Sequence, residues 1–327
     1  MSARVCNSEE RCPVCGAASP PLAFVKKGYP LHRCVLCEVV YSARPPEGRD
    51  IEDLYSASYF TGGGAGYPDY LADERTHRRQ ARQYLRRIDT LGLSPGAVLD
   101  VGCAAGFFLD EARRAGWRAE GCEISEYAQE HATRRLGLDV KRAGFLDAQF
   151  SASRESFDVV TMFNVLEHIP DPVAVADRAF TLLRPGGYLV IETWDPRSWF
   201  ARLLGSWWPT YAPPTVLYCY TRRTLSRVFD RDKWSFVSYR PATKWISLDH
   251  GLSLLEYEAN RTPLSPLLRG LRRSFVSRID VPYCLGDLAL GIFRRPPALA
   301  LSTALAADER LAADDREDDR VVHGAAQ

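Results

Sequence analysis

The chain has 327 residues, of which 46% are apolar and 25% are charged, and its formal net charge is +1. This is the composition of a globular protein of one large or two modest domains, and the near-neutral charge argues against a dominant surface for sequence-independent nucleic-acid binding. Because no apolar run approaches 18 residues and no charged-then-apolar leader is recognisable, we expect no membrane-spanning segment and a cytoplasmic location.

Four cysteines near the N-terminus form two C-x-x-C pairs. The first pair is Cys12 and Cys15, and the second, after 18 intervening residues, is Cys34 and Cys37. Two such pairs joined by a hairpin can place four thiolates around one Zn²⁺, which leaves no open coordination position for chemistry. We therefore predict a structural zinc ribbon over residues 1–45. Reduced cysteines without a metal and a redox dithiol are the alternatives.

Residues 46–90 are predicted to form an N-terminal helical lid. The pattern indicates a helix at 51–60, a glycine-rich loop at 61–66 and a second helix that reaches residue 88. The second helix is rich in arginine, and a row of like charges on a helix is usually a solvated face. The arginines of that face are Arg75, Arg78, Arg79, Arg82, Arg86 and Arg87.

The segment 98–108, VLDVGCAAGFF, reads as a strand, a tight turn and the start of a helix. The apolar strand ends in Asp100, and Gly102 and Gly106 flank small residues. Glycine permits backbone conformations closed to other residues and lets a ligand approach the backbone, while a helix N-terminus presents unpaired N–H groups. This turn is therefore a predicted site for a polar, nucleotide-like ligand.

Residues 91–195 alternate predicted strands with predicted helices, which indicates a parallel sheet covered on both faces. The strands are predicted near 97–101, 117–123, 138–141, 157–163 and 187–194. Ligands of such sheets bind at the carboxyl ends of the strands. Glu123 ends the second strand about 20 residues after the first glycine, where a carboxylate binds ribose hydroxyls in doubly wound sheets.

These motifs, in this order, resemble those of class I S-adenosylmethionine-dependent methyltransferases. The matching segments are the glycine turn, Glu123, FDVVTMFNVLEHIPDP at 157–172 and LLRPGGYLVIE at 182–192. NAD enzymes share the first of these but lack the last two. The resemblance implies an α/β fold, namely a Rossmann-like seven-stranded methyltransferase sheet, here with an N-terminal zinc ribbon and a C-terminal helical cap insert.

The same resemblance implies S-adenosylmethionine as cofactor and residues 91–195 as the core that binds it. The expected contacts are Asp100, Gly102, Cys103, Gly106, Glu123, Ile124, Phe145, Leu146, Asp147 and Asn164. Where the family often carries an acid that contacts adenine, this chain has GFLD at 144–147. We therefore expect the backbone of Phe145 and Leu146 to contact adenine, with Asp147 as a further contact.

The aromatic residues of the lid have two interpretations. In related methyltransferases this region resembles helices that close over the cofactor, so Tyr55, Tyr59 and Phe60 are candidates to pack on its methionine end. Alternatively, they form an aromatic cluster under the glycine-rich loop.

Residues 196–296 are predicted to supply a substrate-binding cap and the closing strands of the sheet. Thr221 caps a predicted helix at 221–230, and the segments 234–239 and 288–293 resemble the family's closing antiparallel strands. The insert at 249–278 is expected to be helical. Residues 197–296 contain 16 Lys and Arg against 7 Asp and Glu, which suggests an anionic substrate such as a nucleotide-sugar, a phospholipid-linked glycan or a carboxylate.

Part of that insert forms a basic amphipathic pattern. Apolar side chains recur at helical spacing, with arginines among them: Leu264, Leu267, Leu268, Leu271 and Phe275, with Arg269, Arg272, Arg273 and Arg278. Such a helix can make peripheral membrane contact or bind an anionic substrate; the alternative is a helix docked on its own core with its arginines outward. The tail at 297–327 is acidic and is expected to be disordered.

A methyl donor of this kind is already activated, so the protein's main task is to orient the acceptor and exclude water. For an oxygen or nitrogen acceptor a general base helps, and His168, after the fourth strand, is the first candidate. His250 in the cap is the second. The alternative for His168 is that it orients its loop. The segment Asn164-x-x-Glu167-His168 also resembles the E-x-x-E-H segment of ubiquinone-pathway O-methyltransferases, which can hold a divalent cation, with Asn164 in place of the first acid.

The sequence thus predicts an enzyme that methylates a small molecule or glycan. We expect O-methylation of an anionic sugar, a lipid-linked glycan or a secondary metabolite. Three alternatives remain open: an rRNA base methyltransferase whose ribbon binds RNA, a sugar C-methyltransferase, and a degenerate scaffold that binds the cofactor without turnover. The net charge disfavours the nucleic-acid alternative.

Overall fold

The structure, a computed structural model, describes residues 11–44, 53–62, 66–148, 150, 152–230, 232–258, 265–272, 274 and 279–297. The predicted acidic tail lies outside these ranges apart from its first residue. Leu264, Arg273, Phe275 and Arg278 of the amphipathic segment also lie outside them.

The strands in chain order are β1 Leu22–Lys26, β2 Tyr29–Arg33, β3 Val40–Ser42, β4 Ala97–Val101, β5 Arg118–Glu123, β6 Asp139–Arg142, β7 Phe157–Phe163, β8 Leu183–Trp194, β9 Tyr218–Cys219, β10 Ser235–Pro241, β11 Lys244–Ser247, β12 Asp280–Tyr283 and β13 Leu288–Arg294. The helices are α1 Ala57–Thr61, α2 Glu74–Asp89, α3 Phe107–Arg114, α4 Glu126–Glu130, α5 Pro172–Leu182, α6 Trp199–Leu204, α7 Arg222–Val228, α8 Leu248–Glu258 and α9 Ser265–Arg272. A π-helical turn follows α4 at His131–Arg135, and 3₁₀ turns lie at Leu166–His168 and Gly205–Trp207.

Seven strands form the main sheet, in the order β10-β13-β8-β7-β4-β5-β6. The five strands from β8 to β6 run parallel, and β13 and β10 close the sheet antiparallel. Apolar side chains bury both faces: α2 and α3 pack on one, and α5 and α7 pack on the other. The predicted Rossmann-like seven-stranded fold is confirmed, and the parallel arrangement brings the ends of β4, β5 and β7 to one edge.

The cysteine-bearing hairpin forms a small sheet of its own. Strands β1, β2 and β3 pair antiparallel, and the two-residue strand β9, from far along the chain, pairs with β3. Cys12, Cys34 and Cys37 are buried in the same apolar cluster as residues of the main sheet. The hairpin is therefore packed onto the core at two places, through backbone pairing and through buried side chains.

The insert between β10 and β13 contains α8 and α9, as predicted, and also a hairpin of β11 and β12 that the sequence pattern did not predict. On α9, Leu267 and Leu271 are exposed, whereas Arg272 forms ion pairs with Asp249 and Glu256. At these three positions the two leucines face outward and Arg272 faces the acids of the cap. The side chains of Leu268 and Arg269 are not described, so both interpretations of the amphipathic segment stay predictions.

The arginines of α2 are not uniformly solvated. Arg78 is only 12% exposed, and its guanidinium lies 2.7 Å from Asp110 and 3.0 Å from Glu111 on α3. It also pairs with Glu74 one turn earlier on its own helix. The prediction of a solvated face is wrong at Arg78, because the acidic partners lie on a helix that follows more than 20 residues later in the sequence. None of the helices in the described ranges has the length and apolarity needed to cross a bilayer.

Candidate functional site

A cavity of about 1520 Å³ lies at the carboxyl ends of the parallel strands, between the main sheet, the lid and the cap. Almost all the residues predicted to bind cofactor or transfer a proton line it. They are Asp100, Gly102, Cys103, Glu123, Ile124, Phe145, Leu146, Asp147, Asn164, His168 and His250. Gly106 is not among the lining residues.

The glycine turn is held by close packing. Gly102, Ala104 and Gly106 all have positive φ, at 64°, 47° and 83°. A Cβ on Gly102 would lie 2.6 Å from Val165 Cγ2, and one on Gly106 would lie 2.6 Å from Leu138 Cδ1. These glycines thus allow a left-handed backbone and close contact with the neighbouring loops. Gly106 therefore supports the conformation of the turn without lining the cavity itself.

Glu123 ties the glycine turn to the end of β5. Its Oε2 accepts a hydrogen bond from the Ala104 N–H at 2.8 Å, and its Oε1 accepts one from the Ser125 N–H at 2.8 Å. Burial raises the pKa of Glu123, although these backbone bonds oppose the shift. Each carboxylate oxygen keeps a second lone pair, and the nearby Ser125 Oγ is buried without a hydrogen-bond partner among the described residues. This arrangement fits a pair of ribose hydroxyls.

Asp100 lies beside this turn at the end of β4. Its Oδ1 accepts a hydrogen bond from the Thr161 hydroxyl at 2.6 Å. Burial raises the pKa of Asp100 to about 7, against the opposing effect of Thr161, and the nearby Glu123 adds to the rise. Perturbed carboxyl groups at the edge of a sheet are typical of ligand sites.

The segment after β6 forms a compact turn at the cavity wall. Asp147 Oδ2 accepts a hydrogen bond from the Gly144 N–H at 2.7 Å, and the Asp147 N–H returns one to the Gly144 carbonyl. One oxygen of the Asp147 carboxylate is therefore engaged by its own turn, and Asp147 is otherwise exposed. Phe145 is buried against Phe150, which fixes the position of the backbone next to Leu146.

A backbone carbonyl group fixes the orientation of the His168 ring. Its Nδ1 lies 2.6 Å from the Thr215 carbonyl oxygen, which can only accept, so Nδ1 carries the hydrogen and Nε2 keeps a lone pair. Burial lowers the pKa of His168, while the Thr215 bond opposes the shift. The imidazole is consequently neutral near pH 7, the form that can accept a proton.

Two further histidines are stacked on aromatic rings of the lid. His250 stacks on Tyr67 at 4.6 Å, and His77 stacks on Tyr70 at 3.9 Å. Burial lowers the pKa of His250 to about 4 and that of His77 to about 3. The lid aromatics, including Tyr55, form a continuous cluster over the cavity.

The side chains of the NxxEH segment are each hydrogen-bonded to a protein group, and Asn164 Oδ1 and Glu167 Oε1 are buried without a partner among the described residues. Asn164 donates to Glu192 Oε1 at 2.8 Å, and Glu167 accepts from the Thr193 hydroxyl at 3.1 Å, while His168 turns toward Thr215. Burial raises the pKa of Glu167 to about 8. In the part of the chain that the structure describes, the four N-terminal cysteines are the one set of His, Cys, Asp or Glu side chains close enough to share a metal.

Those four cysteines do converge. The Sγ atoms of Cys12, Cys15, Cys34 and Cys37 all lie within 4.8 Å of one another, with 3.6 Å between Cys12 and Cys37 and between Cys15 and Cys34. Zn–S bonds of about 2.3 Å in a tetrahedron place sulfur atoms about 3.8 Å apart. The donor set and its spacing therefore fit a zinc ion.

Sequence reasoning missed two polar residues of the site. Glu192 is fully buried in β8, directly after the apolar run 188–191, and accepts hydrogen bonds from two residues that line the cavity, Tyr84 and Asn164. An acid inside such a strand was a signal that could have been used. Lys244 lines the cavity from β11, and its neighbours in sequence gave no signal.

Residues 74–237, half of the chain, match the family model described as a methyltransferase domain. The ubiquinone biosynthesis O-methyltransferase of Psychrobacter cryohalolentis is 34% identical over 124 residues, which are 36% of this chain and 48% of that protein. The chain thus spans about half the length of that relative. The enzyme of the same name from Ralstonia nicotianae is 28% identical over 198 residues, 54% of this chain and 81% of that protein.

Among solved structures, a SAM-dependent methyltransferase of Thermotoga maritima is 18% identical, with a TM-score of 0.45 over 69% of this chain and 92% of that chain. The matched residues run from the start of α2 into β10 and include the glycine turn, Glu123 and His168. On the strength of that match and of the seven-stranded sheet, this chain belongs to the class I S-adenosylmethionine-dependent methyltransferases.

Proposed function

We propose that this protein methylates an oxygen atom of a small-molecule or glycan acceptor that enters the cavity from the cap side. The observation that supports this most directly is that the glycine turn, Glu123 and a neutral His168 line the same cavity. The residues expected to bind the methyl donor and a group able to accept a proton therefore line one cavity.

S-adenosylmethionine, when bound, supplies an activated methyl group. It would bind at the edge of the sheet that is formed by the carboxyl ends of β4, β5 and β7. The Gly102 turn would approach it through the backbone, Glu123 would accept from the ribose hydroxyls, and Phe145 and Leu146 would enclose the adenine. Asn164 Oδ1, buried without a partner among the described residues, is an acceptor for a donor group of the cofactor.

At the acceptor end, His168 is the proposed general base. Nε2 takes the proton of the acceptor hydroxyl as the oxygen gains the methyl group, and the resulting imidazolium returns its proton to solvent when product leaves. The Thr215 carbonyl holds the ring in the required tautomer. His250, which stacks on Tyr67 of the lid, is the second candidate for this role, and the aromatic lid excludes water.

The acceptor is proposed to be an anionic sugar, a lipid-linked glycan or a secondary metabolite. The excess of basic residues in the segment 197–296 supports negative charge on the acceptor. Similarity to proteins named as O-methyltransferases supports oxygen as the methylated atom. For the N-terminal hairpin we propose a structural Zn²⁺, held by Cys12, Cys15, Cys34 and Cys37 and closed to substrate because all four ligands come from the protein.

The deciding experiment is calorimetric titration with S-adenosylmethionine and S-adenosylhomocysteine, followed by transfer of labelled methyl to a panel of acceptors. Glu123→Ala should weaken binding of both cofactors about 10- to 100-fold, because buried acceptor groups for two hydroxyls are lost. Glu130→Ala, at a half-buried acid on the next helix that pairs with Arg134 and does not line the cavity, is the matched control.

The panel contains uronic acids, nucleotide-sugars, polyprenyl-phosphate glycans, hydroxybenzoates and rRNA. Label in an O-methyl group of a small molecule or glycan supports the proposal. Label in rRNA, or in a carbon-bound methyl of a sugar, would replace it with one of the alternatives. Tight cofactor binding with no transfer to any acceptor would favour a scaffold without turnover.

A further inference from the structure

Lys244 enters the cavity from the cap hairpin, and its position is fixed by its two neighbours. The Trp245 N–H donates to Gln80 Oε1 at 3.0 Å, and Gln83 Nε2 donates to the Thr243 carbonyl at 3.0 Å. The Arg79 guanidinium lies 3.2 Å from the Trp245 ring centroid. Because side chains alternate along a strand, a strand held to α2 through Trp245 directs Lys244 to the other side, where the cavity lies.

The charge of Lys244 has no carboxylate partner in contact. Among the described residues, Lys244 forms no ion pair. Burial alone would lower its pKa, but the Tyr67 hydroxyl and the more distant Glu192 and Glu167 raise it, so the side chain remains an ammonium ion. Arg142, the other lysine or arginine among the described lining residues, is paired with Glu126 at the cofactor end.

An ammonium ion without a paired charge in a cavity with aromatic walls is costly unless a ligand completes its shell. Tyr67, which lies beside the ammonium, also stacks on His250. The same corner therefore offers a cation and flat apolar surfaces. Its chemistry fits a ligand that carries an anionic oxygen group next to a ring.

We propose that Lys244 binds an anionic oxygen group, a carboxylate or a phosphate, of the methyl acceptor, and so selects acceptors by charge. This inference rests on the proposed function, since it assigns the cap half of the cavity to the acceptor. The basic segment 197–296 as a whole suggested an anionic substrate, but Arg272 of that segment is engaged with acids of the cap. Among the described residues of that segment, Lys244 is the one lysine or arginine that lines the cavity.

The test measures binding of paired probes to protein saturated with S-adenosylhomocysteine. One pair is 3,4-dihydroxybenzoate and its neutral amide, and the second pair is 4-hydroxyphenyl phosphate and hydroquinone. Wild type should bind at least one anionic probe about tenfold or more tightly than its neutral counterpart. A difference in affinity within the first pair indicates a carboxylate as the preferred group, and a difference within the second pair indicates a phosphate.

Three variants separate a binding role from a structural one. Lys244→Met keeps the apolar stem and should remove the preference for the anion, whereas Lys244→Arg keeps the charge and should retain most of it. Lys233→Met, an exposed lysine paired with Asp177, removes a charge elsewhere and should behave like wild type.

Affinity for S-adenosylhomocysteine should be the same in wild type and in the three variants. If wild type does not bind S-adenosylhomocysteine, the result counts against the proposed function and not against the role of Lys244. Two results would overturn the inference while the cofactor still binds. One is an equal preference for the anion in wild type and Lys244→Met, and the other is failure of both anionic probes to bind wild type at millimolar concentration.

Discussion

Val40 of the cysteine-bearing hairpin and Cys219 pair in antiparallel register. The connection continues inward, because the Leu217 N–H donates at 2.8 Å to the carbonyl of Glu167, the residue before His168. A second link is the hydrogen bond at 2.8 Å from the Thr224 hydroxyl to the Cys37 carbonyl. The cysteine-bearing hairpin is thus connected to the loop of His168 through the segment 217–219, which pairs with Val40 at one end and with Glu167 at the other.

Replacing one of the four proposed metal ligands should therefore disturb more than the hairpin. We expect Cys34→Ser to lower zinc content from about one ion per chain to a small fraction and to reduce stability by several kcal/mol, because metal binding contributes directly to folding. Zinc analysis and thermal unfolding measure both effects. Cys284→Ser removes an exposed cysteine outside the cluster and is the control. Unchanged zinc content in Cys34→Ser would contradict the assignment.

The ion pairs of Arg78 should contribute to stability. Arg78→Met removes the nearest counter-charge of Glu111 and one of the three arginines paired with Asp110, which is 2% exposed. Because Arg113 and Arg114 still compensate Asp110, we expect a loss of about 2 kcal/mol in the free energy of unfolding. Arg86→Met, at an exposed position of the same helix, should change it by less than about 0.5 kcal/mol. Urea unfolding of both variants measures the difference, and equal effects would show that Arg78 behaves as a solvated residue.

His77 should make the fold sensitive to acid. Burial lowers its pKa to about 3, with Lys244 and His250 contributing, so the unfolded chain, with an ordinary histidine pKa near 6.5, binds the proton first. The stabilisation is complete above that value and is lost as the pH falls. Between pH 6 and pH 4 we expect the wild type to lose about 1 kcal/mol per pH unit more than His77→Phe.

Phenylalanine suits this position because it can retain the stack on Tyr70. Unfolding free energies of both proteins at pH 4, 5 and 6 provide the comparison, and the buried carboxyl groups, common to both, cancel. Parallel pH profiles for the two proteins would mean that His77 titrates normally in the folded state.

His168 should be needed for turnover and not for cofactor binding. With an acceptor found in the panel, we expect His168→Gln to lower kcat about 10²- to 10⁴-fold and to leave affinity for S-adenosylhomocysteine within a factor of two. Because burial lowers the pKa of His168, the wild-type rate should fall only as the pH drops below the usual histidine range. A variant with the wild-type rate and pH profile would restrict His168 to orienting its loop.

Much of the core was predictable because its signals are local. Apolar runs and turn residues located β4 and β7 at the observed positions, and Thr221 caps α7 through a capping box with Thr224, as the sequence indicated. The glycine turn and Glu123 could be placed at one edge because parallel strands share that edge. These inferences need only neighbouring residues and one rule of sheet topology.

Other features depend on contacts between distant segments. Strand β9 has two residues, and nothing in Tyr218 or Cys219 predicts a partner in the N-terminal hairpin. Lys244 became a site residue only because glutamines of α2 hold its strand over the cavity. The partners of Arg78 likewise lie on another helix. A single sequence does not encode such pairings in any local pattern.

The pairing of β3 with β9 also bears on how the chain is made. Cys219 leaves the ribosome about 180 residues after Val40, which at 5–20 residues per second is on the order of 10–40 s later. During that interval the N-terminal hairpin can form locally and take up the proposed metal, but β9 is not yet available to complete its four-stranded sheet. We therefore expect the hairpin to dock late in folding, because docking requires the pairing of β3 with β9, which is synthesised long after the hairpin.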